Sequence, residues 1–147
     1  MQITRQTEYA VHTLLELARL PFGEILPAKV ISERQEIPED FLKKTIQLLA
    51  RAGLVHTQRG VQGGVRLARP SSEIRLGDVI TAIEGPLAIN VCLAYGNECP
   101  NKGTCHIHRI LTSAQQALVA ELNSKTFAEI VALERSGHGH DARGAPA

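Results

Sequence analysis

Cysteine is missing from residues 1–91 and 106–147 of this 147-residue chain. Structural cysteines would be scattered among the apolar faces of several elements, so their confinement to one short segment suggests a shared ligand. There is no C-x-x-C pair, no glycine-rich nucleotide loop and no second cofactor motif, which leaves little support for a thiol redox enzyme. No apolar run approaches membrane-spanning length, so no membrane partner is expected. The opening residues, MQITRQTEYA, lack the basic-then-apolar order of a secretory leader, and an odd cysteine count suits disulfides poorly. The expectation is a reduced, cytoplasmic protein. A large charge excess is also missing, the net charge being +1, but its distribution is uneven. Residues 1–70 hold ten Lys/Arg against seven Asp/Glu, and residues 71–147 hold six against eight. The basic half comes first. A hydrophobic content of 44% is enough for a real core in one domain or one and a half.

Cys92, Cys99 and Cys105 fall in the segment VCLAYGNECPNKGTCHIHRIL, with His108 three residues after the last. A zinc ion reached from a tight turn more typically has thiolates two to four residues apart. Here six and five residues intervene. Wider gaps suit an iron–sulfur cluster, where each thiolate takes a different iron and the loop wraps a larger object. On spacing alone, zinc, redox thiols and no ligand at all stay open.

Periodicity predicts a mainly α fold with a small β-hairpin. Residues 3–20 place Tyr9, Ala10, Leu14, Leu17 and Ala18 near helical spacing, and Pro21 and Gly23 end the pattern. A short second helix fits Pro27 to Glu33, with Ala28, Val30 and Ile31 inward. A third begins near Pro38, carries Phe41, Leu42, Ile46 and Leu49 on an inward stripe, and stops at Gly53. Helices two and three read as helix-turn-helix. LVHTQ and VRLA then alternate like strands around the turn RGVQGG, which makes a hairpin wing.

A winged helix-turn-helix puts its third helix in the major groove of DNA. Glu39, Asp40, Lys43, Lys44, Gln47 and Arg51 fall on the outward side of that helix. Lysines there would neutralise phosphates, Gln47 could read a base edge, and Arg59 at the wing tip could enter a narrow minor groove. Each residue taken singly could equally be a solvated surface charge; their arrangement together favours DNA.

Residues 76–84, LGDVITAIE, predict a short helix ended by Gly85 and Pro86, and the cysteine loop follows. From Ile107 a long C-terminal helix carries Ile110, Leu111, Ala114, Leu118 and Leu122 at three-to-four spacing. Such a stripe fits either packing on the chain's own N-terminal half or a dimer interface; the symmetric reading of two DNA half-sites favours the dimer. TFAEIVALE forms one more short helix, and the tail SGHGHDARGAPA has no apolar period. The expected organisation is 1–75 as winged DNA-binding domain, 76–135 as sensor loop and dimerisation helix, and 136–147 as disordered tail.

The segments QITRQTEYAVHTLLELA, LARAGLVHTQRGVQGGVRLARP and IRLGDVITAIEGPL, together with the three-cysteine loop, resemble the Rrf2 family of bacterial winged-helix regulators. The resemblance runs over about residues 1 to 133. It implies a homodimeric transcription factor whose iron–sulfur cluster state alters operator affinity. By that resemblance Cys92, Cys99 and Cys105 are the thiolate ligands, with one extra residue in the first gap. CPNKGTC looks closest to the nitric-oxide sensors of the family, in which a carboxylate at the place of Glu8, donated by the other subunit, completes a 4Fe–4S cluster. His108 stands where the cluster-assembly regulators place the histidine that completes a 2Fe–2S cluster. A redox-sensing subgroup instead pairs the carboxylate with a histidine at the position occupied here by Glu33. Arg59, Gly63 and Gly64 match the family's wing. Lys43 and Lys44 replace a glutamate and a glutamine of the cluster-assembly regulators, which implies a different operator.

The resulting expectation is a DNA-binding repressor with Asp40, Lys43, Lys44, Gln47 and Arg59 toward DNA. Cys92, Cys99 and Cys105 hold a cluster, 4Fe–4S favoured over 2Fe–2S, with Glu8 or His108 as fourth ligand. The alternative is a DNA-binding regulator that senses through thiols or zinc without a cluster.

Overall fold

The computed structural model describes residues 3–94, 100–101 and 103–137. Helix α1 (Arg5–Ala18) starts at Thr4, whose hydroxyl accepts the Thr7 N–H, and buries Ala10, Leu14 and Leu17. Helix α2 (Ala28–Gln35) runs two residues past the expected end. It stops where Glu36 adopts a left-handed conformation, φ 52°, and the Ile37 N–H closes on the Ser32 carbonyl. Helix α3 (Glu39–Arg51) has acidic Glu39 and Asp40 in its first turn, where the helix dipole favours them, and ends ahead of Gly53 at φ 77°. Leu42, Ile46 and Leu49 point into the core. Phe41 does not: its ring is 53% exposed, set edge-on to Tyr9.

Strands β1 (Val55–Gln58) and β2 (Gly64–Leu67) pair antiparallel, from Val55 opposite Leu67 to Gln58 opposite Gly64. One feature has no periodic signal in the sequence. Leu26, between α1 and α2, exchanges two backbone hydrogen bonds of 2.9 Å with Val65 and so fastens the hairpin to the helical part. A Cβ on Gly64 would collide with the Leu26 carbonyl, which explains glycine at that place.

Helix α4 (Leu76–Glu84) is held at its start by the Asp78 carboxylate, which accepts the Arg75 N–H at 2.8 Å, and ends at Gly85, φ 82°. Helix α5 (His106–Leu122) follows the cysteine segment, and α6 (Phe127–Arg135) begins with a reciprocal Thr126–Glu129 cap. Short 3₁₀ turns occur at Ser71–Glu73 and Val91–Leu93.

Helix α6 returns to the N-terminal half. The Phe127 N–H donates to the Ile74 carbonyl at 2.8 Å, and the Phe127 ring is buried in one core with Leu14, Ile31, Leu49, Val65 and Val79. Arg19 adds a two-pronged contact to Glu134, both distances 3.0 Å, and this pairing raises the Arg19 pKa and lowers that of Glu134. Segments on both sides of residue 75 therefore supply the same core. Helix α5 contributes little to it, His108 being its one buried residue.

The start of α1 is also tied to the end of α4. Glu84 accepts the Thr4 N–H and the hydroxyls of Thr4 and Thr7, and these donors hold its carboxyl below the ordinary value of 4.5. A lowered folded pKa means the contact adds stability above pH 4.5 and loses it as pH falls through the folded value. Denaturant titrations across that range should show Glu84→Gln with a shallower acid loss of stability than the parent. Parallel curves would mean that Glu84 does not carry the dependence.

Candidate functional site

Two groups of side chains need placing, those that would face DNA and those that would hold a cofactor. Asp40, Lys43, Lys44 and Gln47 all lie on the exposed side of α3, and Arg51 continues the stripe in its last turn. The order follows from amphipathicity: Leu42, Ile46 and Leu49 take the buried side, so residues out of phase with them face solvent. Arg59 is exposed just beyond β1, at the start of the turn that leads to Gly64. In that turn the Gly63 N–H donates to the Gly60 carbonyl, and a Cβ on Gly63 would strike the Gln58 carbonyl. The wing thus depends on glycine at both Gly63 and Gly64.

Phe41 belongs to this surface, and the periodicity argument missed it. It sits between Asp40 and Leu42 in the first turn of α3, with the Lys44 ammonium 6.0 Å from its ring centre. An exposed aromatic at the start of such a helix suits apolar contact with a thymine methyl group.

The cysteine segment is described in part. Cys92 lies in the 3₁₀ turn Val91–Leu93, half-buried, and its sulfur accepts from the Asn90 side-chain amide at 3.4 Å. Cys105 is half-buried and caps α5, its sulfur accepting the His108 N–H at 3.4 Å. Cys99 lies outside the described residues, as do His138, His140 and the rest of the tail from residue 138. Among the described residues no three His, Cys, Asp or Glu side chains gather closely enough to hold a metal ion.

The two fourth-ligand candidates differ in surroundings. Glu8 is exposed in the first turn of α1, 3.6 Å from Arg5, a surface pair of small energetic weight. His108 is 7% exposed, one helical turn from the Cys105 sulfur, and its Nδ1 is buried without a hydrogen-bond partner. A buried polar atom left unpaired costs free energy that a bound ligand would recover. A thiol and an unpaired imidazole nitrogen one turn apart are the donor types an iron–sulfur cluster takes, so these residues fit such a group. Glu33, at the other family position, is exposed on α2.

Helix α5 turns a mixed side inward. His108 is buried and Leu111, Thr112, Gln115, Leu118 and Leu122 are half-buried, with Gln115 accepting the Ile89 N–H at 3.0 Å, so three leucines of the expected dimer stripe lie on the less exposed side. Ile107 and Ile110 remain 63% and 64% exposed, and Ala114 and Ala117 continue their line.

Comparison with known proteins supports the mainly helical fold with its two-stranded hairpin. A family model described as Rrf2, an iron-dependent transcriptional regulator, matches residues 3–133. The structure of T. potens IscR is similar at 28% identity and a TM-score of 0.69, over 100% of this chain and 94% of that one. CymR, described as the global cysteine regulator of B. subtilis, is similar at 25% identity and a TM-score of 0.67, over 90% of this chain and 97% of that one. A Listeria innocua protein is similar at 26% identity and a TM-score of 0.72, over 100% and 94%.

Proposed function

The chain belongs to the Rrf2 family and is a transcriptional regulator, not an enzyme, and from that premise we propose a homodimeric repressor controlled by an iron–sulfur cluster on Cys92, Cys99 and Cys105. The observation that carries the sensing half is the buried, unpaired Nδ1 of His108 beside the Cys105 cap. It favours His108 over Glu8 as the fourth ligand, and with it the 2Fe–2S form that such a histidine completes. A bound cluster supplies a centre whose charge and ligation respond to oxidant, nitric oxide or iron supply.

The remaining work falls to the chain's own residues. Cys105 and His108 bracket the first turn of α5, so whatever they bind also sets the order of that turn. Helix α5 offers its apolar stripe to a second subunit, and pairing there fixes the spacing of two α3 helices on two DNA half-sites. Asp40, Phe41, Lys43, Lys44 and Gln47 read the major groove, and Arg59 holds the wing to the DNA. In this reading residues 1–75, with helices α4 and α6 packed into the same core, form the reading head, and the cysteine segment with α5 forms the sensor and dimer contact.

The likeness to a cysteine regulator favours one second reading, in which the thiols respond without a cluster. Iron and acid-labile sulfide analysis of anaerobically purified protein separates the two. The cluster reading expects a coloured protein with iron and sulfide in similar amounts. In it, His108→Ala weakens iron retention against a chelator by at least about tenfold and Glu8→Ala leaves it unchanged. A colourless, iron-free parent whose DNA affinity still responds to oxidant would transfer the case to thiol sensing.

A further inference from the structure

A cavity of 410 Å³ opens between the end of α3, the base of the hairpin and the middle of α4. Leu48, Arg51, Leu54, Arg69, Asp78 and Thr81 line it. Two facts set it apart from an ordinary surface crevice. The Arg69 Nε is buried with no hydrogen-bond partner, an expensive arrangement for a group that is always charged. Among the described residues, neither Arg51 nor Arg69 has a carboxylate at ion-pair distance. The Asp78 carboxylate, also at this cavity, already accepts the Arg75 N–H.

We infer that this cavity binds a small organic anion, a carboxylate or phosphate group on a compact apolar body, and that the ligand competes with DNA for Arg51. Arg69 and Arg51 both line the cavity and supply two positive groups to it. Leu48 and Leu54 provide apolar wall for the rest of the ligand. A duplex phosphate is the poorer occupant, because it is fixed to a convex backbone and cannot enter a concavity with apolar walls. Arg51 lies eleven, seven and four residues after Asp40, Lys44 and Gln47, so it shares their face of α3. Holding Arg51 in the cavity takes a cation from the DNA-facing stripe, and by linkage DNA binding weakens the ligand equally. This inference is independent of the cluster.

Calorimetric titration of the full chain with inorganic phosphate and, separately, with acetate tests it at fixed ionic strength. Saturable binding of at least one probe is expected. Arg69→Gln should weaken it by at least about tenfold, with Arg69→Lys in between. The same probe should lower the parent's affinity for duplex DNA several-fold and leave that of Arg69→Gln unmoved. Circular dichroism melting establishes that the variants fold, and Arg51→Gln replaces any that do not. No saturable binding by the parent, or equal binding by folded variants, overturns the inference. So does an effect of the arginine variants confined to DNA affinity, which would assign both arginines to the phosphate backbone.

Discussion

Replacing Cys92, Cys99 and Cys105 together by alanine is expected to remove the chromophore and weaken operator binding by about 5- to 150-fold, the usual size of coupling between two sites. The direction follows from where the donors sit. Cys105 caps α5 and His108 lies in its first turn, so releasing what they hold loosens the end of the helix that would bring two reading heads into register. A less ordered dimer loses preorganisation for two half-sites, and affinity falls. Fold stability should change little. Neither Cys92 nor Cys105 is part of the core, and a sulfur cap on one helix is worth about 1 kcal/mol at most. A melting temperature within a few degrees of the parent would show that the loss is one of sensing and not of folding. The measurement needs an operator selected from random duplexes, anaerobic buffer and constant salt, because phosphate contacts make affinity steeply salt-dependent. Unchanged affinity, with a parent that shows no visible absorption, would sink the cluster reading.

The parts of the fold that were legible in the sequence are those where local signals agree with tertiary packing. Helix α4 is legible at its end, where Gly85 and Pro86 stop it, whereas the Asp78 cap at its start is seen only in the structure. Helix α3 was bounded by Pro38 and Gly53 for similar reasons, and its exposed charges followed from its buried leucines. Misreadings occurred where the deciding contact is remote or the local signal is missing. Glu36 takes a left-handed conformation usually left to glycine or asparagine, so nothing in the residue types marks the end of α2. Phe41 fits the apolar stripe of α3 by spacing, yet its place is taken in the core by Leu42 and its ring meets Tyr9 at the surface. Phe127 was legible as part of a helix, but its burial beside Leu14 and Val79 depends on a one-residue bridge between Arg75 and Thr126 that no pattern announces. The fourth ligand shows the same division. The sequence offers Glu8 and His108 alike, and burial alone distinguishes an exposed carboxylate with a partner from an imidazole nitrogen without one.

The dimer contact gives the second large expected effect. Ile107, Ile110, Ala114 and Ala117 recur at three, four and three residues along the exposed side of α5, whereas His108, Leu111, Thr112, Gln115 and Leu118 lie on its less exposed side. Burying an isoleucine contributes about 1.5–3 kcal/mol, so two of them left 63% and 64% exposed are a substantial incentive to pair. In a twofold arrangement each substitution acts twice, and Ile110→Glu would set two carboxylates against one apolar seam. Sedimentation of the purified protein at micromolar concentration should show a dimer for the parent and a monomer for Ile110→Glu. The N-terminal fold should persist in the variant, because Ile110 touches none of the core built by Leu14, Ile31, Leu49 and Phe127. DNA binding should then fall by about 10²–10⁴-fold, since one reading head no longer gains from the tethering of the other. An Ala114→Leu variant tests the same seam from the opposite side, adding bulk where two small residues would let helices approach closely, and should weaken the dimer less. A parent that sediments as a monomer, or an Ile110→Glu protein that keeps both its dimer and its DNA affinity, would rule out α5 as the element that couples the two half-sites.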